Sequence, residues 1–158
     1  MDMVTSIFER NYIQINVDMV NKEQVLRYIA KLAEKAGVSY DSEQTYESML
    51  KRENEFSTGF GDGFAIPHTK CASIKKPAVF ILKLRSSVDW KAIDERPVSI
   101  IIGLLTPNEN NGAIHLKLLA SLSRKLMDED FKRKFILSFD EEELFHMVTE
   151  ALVAFENE

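Results

Sequence analysis

Arg52-Glu53-Asn54-Glu55-Phe56-Ser57-Thr58-Gly59-Phe60-Gly61-Asp62-Gly63-Phe64-Ala65-Ile66-Pro67-His68-Thr69 is the stretch on which the reading of this chain turns. Its glycines alternate, and a short apolar run then delivers a proline and a histidine. A dinucleotide fingerprint needs glycine at the first, third and sixth positions, and counted from Gly59 the sixth is Phe64. No Gly-Lys-Ser/Thr occurs, so a P-loop is absent as well. Pro67 fixes its own φ and pushes Ile66 toward an extended conformation. His68 therefore follows a stiffened strand end, where a side chain can be aimed. Neutral imidazole keeps one unprotonated ring nitrogen and is a nucleophile near pH 7. Attack on an already activated phosphorus needs no separate strong base and gives a phosphohistidine. Its charge calls for donors. The loop at Thr58, Gly59 and Gly61 offers backbone N–H groups, and Arg52, on a predicted helix, offers a guanidinium that can fold back over His68.

Tyr12 to Val17 reads as a short strand and Asp18 as the cap of a helix. The helix carries Val20, Val25, Leu26, Ile29, Leu32 and Ala33 and stops at Gly37. Ser42 to Glu53 is a second helix, with Tyr46, Met49 and Leu50 as its apolar face. Gly59, Gly61 and Gly63 are expected to break any regular element. Ala78 to Leu84 and Val98 to Leu105 are strands. The second is apolar almost throughout, as a central strand covered on both faces would be. Gly112 to Leu126, Asp128 to Leu137 and Glu141 to Phe155 are helices, with Asp128 and Asp140 as caps. The mixture predicts a layered α/β domain running from residue 1 to 158, without repeat, linker or boundary.

Bulk properties exclude several classes. The 158 residues are 45% hydrophobic and 28% charged, enough to bury a core without staples. A net charge of −5 argues against nucleic-acid or anionic-membrane partners. The basic clusters, Lys75-Lys76 and Lys132-Arg133-Lys134, read as solvated surface. Cys71 alone makes no disulfide, and no signal peptide or apolar run of roughly 18 residues is seen, so a cytosolic protein is expected.

His115 shares a stripe with Leu119, Leu122 and Leu126, and spacing alone makes it a core histidine that needs a polar partner. Its functional reading is a pocket shared with His68. His146 reads as surface. A Cys71–His68 nucleophile pair lacks a third orienting group. A zinc site from His68, His115, Cys71 and Asp62 lacks any recognised local spacing, so no metal is expected. Glu53 and Glu55 are expected at a solvated helix end. Phe60 and Phe64 are either buried under the sheet or, one of them, an exposed anchor for a partner.

The Arg52-Glu53, Ser57-Thr58-Gly59 and Ala65-Ile66-Pro67-His68 blocks together resemble the EIIA domain of the fructose/mannitol type, from the bacterial sugar phosphotransferase system. The resemblance extends through Trp90, the Pro97 to Leu105 strand and the His115-to-Arg124 run, covering nearly the whole chain. It implies a mixed β-sheet sandwiched between α-helices on both faces. It implies that His68 is phosphorylated, with Nε2 suggested by the family pattern, and that Arg52 and His115 complete the site. It implies HPr as donor and a cysteine of an EIIB domain as acceptor, with the EIIC permease engaged only indirectly and no cofactor. The glycine segment and the His115 run look most like the fructose branch. The nitrogen-type EIIA proteins, which regulate by phosphorylation-dependent binding, are the alternative.

Overall fold

The computed structural model describes residues 6–108 and 112–156. A 3-10 turn (Arg10–Tyr12) leads into β1 (Ile13–Val17), α1 (Lys22–Lys35) and α2 (Ser42–Glu55). The short strands β2 (Gly59–Gly61), β3 (Phe64–Ala65) and β4 (His68–Cys71) precede the long β5 (Ala78–Val88) and β6 (Val98–Pro107). Helices α3 (Ala113–Lys125), α4 (Glu129–Leu137) and α5 (Glu141–Glu156) follow.

The six strands form one mixed sheet in the order β1-β5-β6-β3-β2, with β4 also paired to β6. β5 and β6 are antiparallel, whereas β1 runs parallel to β5, and β3 and β4 run parallel to β6. Helices cover both faces. A Cβ on Gly103 of β6 would sit 3.2 Å from Ile29 of α1, which is why that helix lies so close. From the opposite pleat of β5, Lys83 reaches the end of α4, where its Nζ donates to the carbonyls of Phe135 (2.8 Å), Ile136 (3.0 Å) and Ser138. The last carbonyls of a helix have no partners inside it, so a buried ammonium satisfies α4 where water cannot. Burial pushes the Lys83 pKa down, and the Phe139 ring lies 4.1 Å from its ammonium.

Most sequence expectations hold, with β6 buried on both faces as foreseen. Gly37 ends α1 as expected, at φ +78. Val38 N–H donates to Ala33 O (2.8 Å) and Gly37 N–H to Glu34 O (3.1 Å), the pair of bonds that a left-handed glycine permits. Three readings are corrected. The cap of α1 is Asn21 rather than Asp18, because its side chain accepts from Gln24 N (2.9 Å), and Val20 lies outside the helix, exposed. The glycine segment does not end regular structure. β2 and β3 pair across it as an antiparallel hairpin, with Asp62 and Gly63 at positive φ in the turn. Lys132 is not solvated: it is buried and bonded to Asp62 in that turn (2.6 Å) and to Glu129 (3.1 Å), bracing the hairpin against α4.

Replacing Lys83 by Met, which keeps most of the stem, removes the ammonium and leaves the α4 carbonyls without it. Urea denaturation is expected to show a loss of about 2 kcal/mol, the scale of hydrogen bonds to a charged group. An unchanged midpoint would mean that the helix end is stable without its ammonium.

Candidate active site

β3 and β4 are two pieces of one extended segment running along β6. Phe64 and Ala65 pair with Ile100 and Ile101, the ladder lapses at Ile66-Pro67, and His68 resumes it opposite Leu104. Proline cannot donate to a ladder, so it is tolerated at the lapse, where its carbonyl accepts from Leu104 N (3.0 Å). Register then decides facing. Paired residues of neighbouring strands share a face and successive residues alternate. His68 therefore lies on the face of Leu104 and Thr106, where α3 packs. Thr69 lies on the other face, and its hydroxyl meets Ser48 of α2 at 2.5 Å.

The half-buried His68 ring places Nδ1 2.7 Å from the carbonyl of Ile66. A carbonyl only accepts, so Nδ1 carries the proton and Nε2 keeps the lone pair. Burial, and to a lesser degree the Arg52 charge, lower the His68 pKa, which keeps the ring neutral at pH 7. His115 lies in the first turn of α3, buried, with Nδ1 2.7 Å from Thr106 Oγ1. Burial first, then His68, Lys70 and Arg52, push its pKa down to about 4. The two imidazoles are 5.6 Å apart between centroids and inclined at 51°. Both open on a cleft of about 450 Å³, also lined by Ser48, Lys51, Arg52, Glu55, Thr69, Lys70, Leu116 and Leu119. Three cations against one carboxylate suit a bound anion. Arg52 is held by its Nη1, which donates to Phe56 O (2.8 Å).

The structure thus brings His68, His115 and Arg52 to one cleft. Thr58, Gly59 and Gly61 are outside its lining and serve the loop instead. Thr58 gives its N–H (2.7 Å) and its hydroxyl (2.5 Å) to Glu53, and accepts from Trp90 Nε1 (3.1 Å). Gly59 is required sterically: a Cβ there would lie 2.5 Å from Ala92 Cβ. Glu53 is therefore not at a solvated helix end. It is 4% exposed and also takes Lys22 Nζ at 3.2 Å, so all its partners are buried or nearly so. This network ties the last turn of α2, which carries Arg52, to the loop leading to His68.

The other candidates lie elsewhere. His146 is exposed and 3.2 Å from Glu142. Cys71 contacts Ser73 (3.0 Å), and Asp62 is engaged by Lys132 and Arg96. Among the described residues no group of three or more His, Cys, Asp and Glu is placed to hold a metal, and no helix is long and apolar enough to cross a membrane. Phe64 is buried and Phe60 half-buried, while Phe56 is the exposed ring beside Arg52. Sequence reasoning missed Thr106 and the Ile66 carbonyl. A polar residue closing the apolar run of β6 was the available signal for the first, and backbone carbonyls leave none.

Comparisons with known proteins identify the family and the fold. The family described as "Phosphoenolpyruvate-dependent sugar phosphotransferase system, EIIA 2" matches residues 6–151. The fructose-specific EIIA component of Haloferax volcanii is 32% identical over 84% of this chain and 86% of its own length. The fructose-specific EIIABC component of Bacillus subtilis is 29% identical over 93% of this chain, which spans only 23% of that relative. The nitrogen regulatory protein IIA-Ntr of Neisseria meningitidis superposes with a TM-score of 0.85 at 27% identity, over 92% of this chain and 99% of that one.

Two outcomes follow for stability. Glu53→Ala strands the Lys22 charge and two donors of Thr58, and urea denaturation is expected to register a loss of about 3 kcal/mol; a loss within 0.5 kcal/mol, the usual range for a surface position, would contradict the network. Secondly, His115 has an ordinary pKa near 6.5 when unfolded and about 4 when folded. Between those values the unfolded chain binds more protons, so stability is complete above pH 6.5 and falls toward pH 4. His115→Gln is expected to flatten that fall; an identical pH dependence in the variant would refute the depressed pKa.

Proposed function

Since the chain belongs to the EIIA 2 family of the phosphoenolpyruvate-dependent sugar phosphotransferase system, we propose that His68 is the residue on which its phosphoryl group is carried. The protein is a phosphotransferase component of that system, and the cleft lining supports a division of work among its residues. The observation that carries the reading is the bond from His68 Nδ1 to Ile66 O, which leaves Nε2 as a neutral nucleophile in a cationic cleft.

The donor is a phosphohistidine of HPr. Nε2 of His68 attacks phosphorus in line, the P–N bond to the donor ring breaks, and that ring nitrogen recovers the electron pair. Arg52 neutralises the equatorial oxygens, with His115 beside them, so catalysis is positioning plus charge stabilisation. In the second half, a cysteine thiolate of an EIIB domain attacks the same phosphorus and His68 recovers its lone pair. The fructose names of the relatives favour a fructose-like sugar, and the EIIABC name favours EIIB and EIIC as companions. We place the chain in the cytoplasm as a single EIIA domain over residues 1–158. Regulation by phosphorylation-dependent binding is the second reading, favoured by the likeness to IIA-Ntr.

Incubation with phosphoenolpyruvate, enzyme I and HPr is expected to give an acid-labile adduct by intact mass, absent from His68→Ala. A folded protein that takes no phosphoryl group from active components would sink the proposal. Arg52→Ala is expected to slow transfer roughly 100-fold, the scale of losing one donor to developing charge, with its denaturation curve nearly unchanged. Transfer at the parent rate, or an unfolded variant, would remove Arg52 from the role assigned here.

A further inference from the structure

We propose that Thr106 is a positioning residue: its hydroxyl donates to Nδ1 of His115, so that His115 holds its proton on Nε2 and offers it to the phosphoryl group on His68. The inference rests on the reading that His68 carries the phosphoryl group.

A threonine hydroxyl has one proton to donate and two lone pairs. Thr106 is completely buried near the end of β6, and among the described residues its hydroxyl contacts one partner, His115 Nδ1, at 2.7 Å. Two assignments are open. If Nδ1 carried the proton, Thr106 would accept, and its own proton would be left without an acceptor in a site closed to water. A buried donor without a partner is costly. His115 would also turn an unprotonated Nε2 toward phosphoryl oxygens, lone pair against lone pair. If Thr106 donates, its single proton is used, and the neutral imidazole carries its hydrogen on Nε2 instead. Only lone pairs of the hydroxyl then go unused, the lesser deficit.

The two rings are thereby held in opposite tautomers by opposite partners. Ile66 offers a carbonyl, which forces the proton of His68 onto Nδ1 and frees Nε2 to attack. Thr106 offers a hydroxyl, which does the reverse for His115. With the rings 5.6 Å apart, one presents a lone pair to phosphorus and the other an N–H to the oxygens that arrive with it. β6 serves both: Leu104 sets the register of His68, and Thr106, two residues on and on the same face, sets the proton of His115.

The test uses the 15N-labelled protein, parent, Thr106→Val and Thr106→Ser, with long-range 1H–15N correlation of the His115 ring at pH 7.5. Phospho-HPr transfer rates are measured alongside. The parent is expected to show the proton on Nε2. Thr106→Val is expected to move it wholly or partly to Nδ1 and to slow transfer about 10- to 100-fold, while Thr106→Ser keeps both at parental values. A parent ring protonated on Nδ1 overturns the proposal, even if the valine variant fails to fold. A valine variant that keeps the Nε2 proton, or changes tautomer without slowing transfer, overturns it as well. Should His68 accept no phosphoryl group, the functional premise falls and the phosphoryl-facing role with it, whereas the tautomer spectrum reports independently on the hydrogen bond.

Discussion

With His68 proposed as the phosphoryl carrier, the hydrogen bond from its Nδ1 to the Ile66 carbonyl is the contact on which the proposed chemistry depends. It is local, spanning two residues, and it sits where Ile66-Pro67 interrupts the pairing with β6 between β3 and β4. The bond decides which nitrogen is nucleophilic before any partner arrives. Burial adds to it by keeping the ring neutral at pH 7. Preorganisation of this kind matters most where the transferred group supplies its own reactivity and the protein mainly has to hold still.

The rest of the fold maintains that geometry. β6 fixes the register of His68 through Leu104 and carries Thr106 against His115. Glu53 gathers Lys22 and Thr58, and through Thr58 the Trp90 indole, into a buried polar cluster at the base of the loop. Arg52 is its chain neighbour, so the guanidinium inherits its position from a residue with no place in the cleft lining. Lys132 braces the far side of the same hairpin through Asp62. Lys83 secures the helix that carries Lys132.

Much of this was legible in the sequence, for physical reasons that vary by residue. The apolar run from Val98 to Leu105 dictates a central strand because nothing else buries such a run on both faces. Pro67-His68 marks an aimed side chain, and the helical spacing around His115 marks an inward one. Other features depend on contacts distant in sequence. Glu53 looks like any carboxylate at a helix end until Thr58 and Lys22 fold onto it. Lys132 looks like part of a solvated basic run until the Asp62 turn arrives beside it. The alternating glycines read as breakers, yet they form a hairpin because Gly59 must pass under Ala92 and Gly63 must turn at positive φ. The tautomer of each histidine is invisible without its partner, and one of those partners is a backbone carbonyl.

The central claim, that the Ile66 carbonyl selects the nucleophilic nitrogen, is tested most directly on the phosphorylated, 15N-labelled protein. Ring 15N shifts and phosphorus–nitrogen couplings identify the modified atom. The phosphoryl group is expected on Nε2 of His68, with Nδ1 still bearing its proton. A phosphoryl group on Nδ1, or on a residue other than His68, would contradict it.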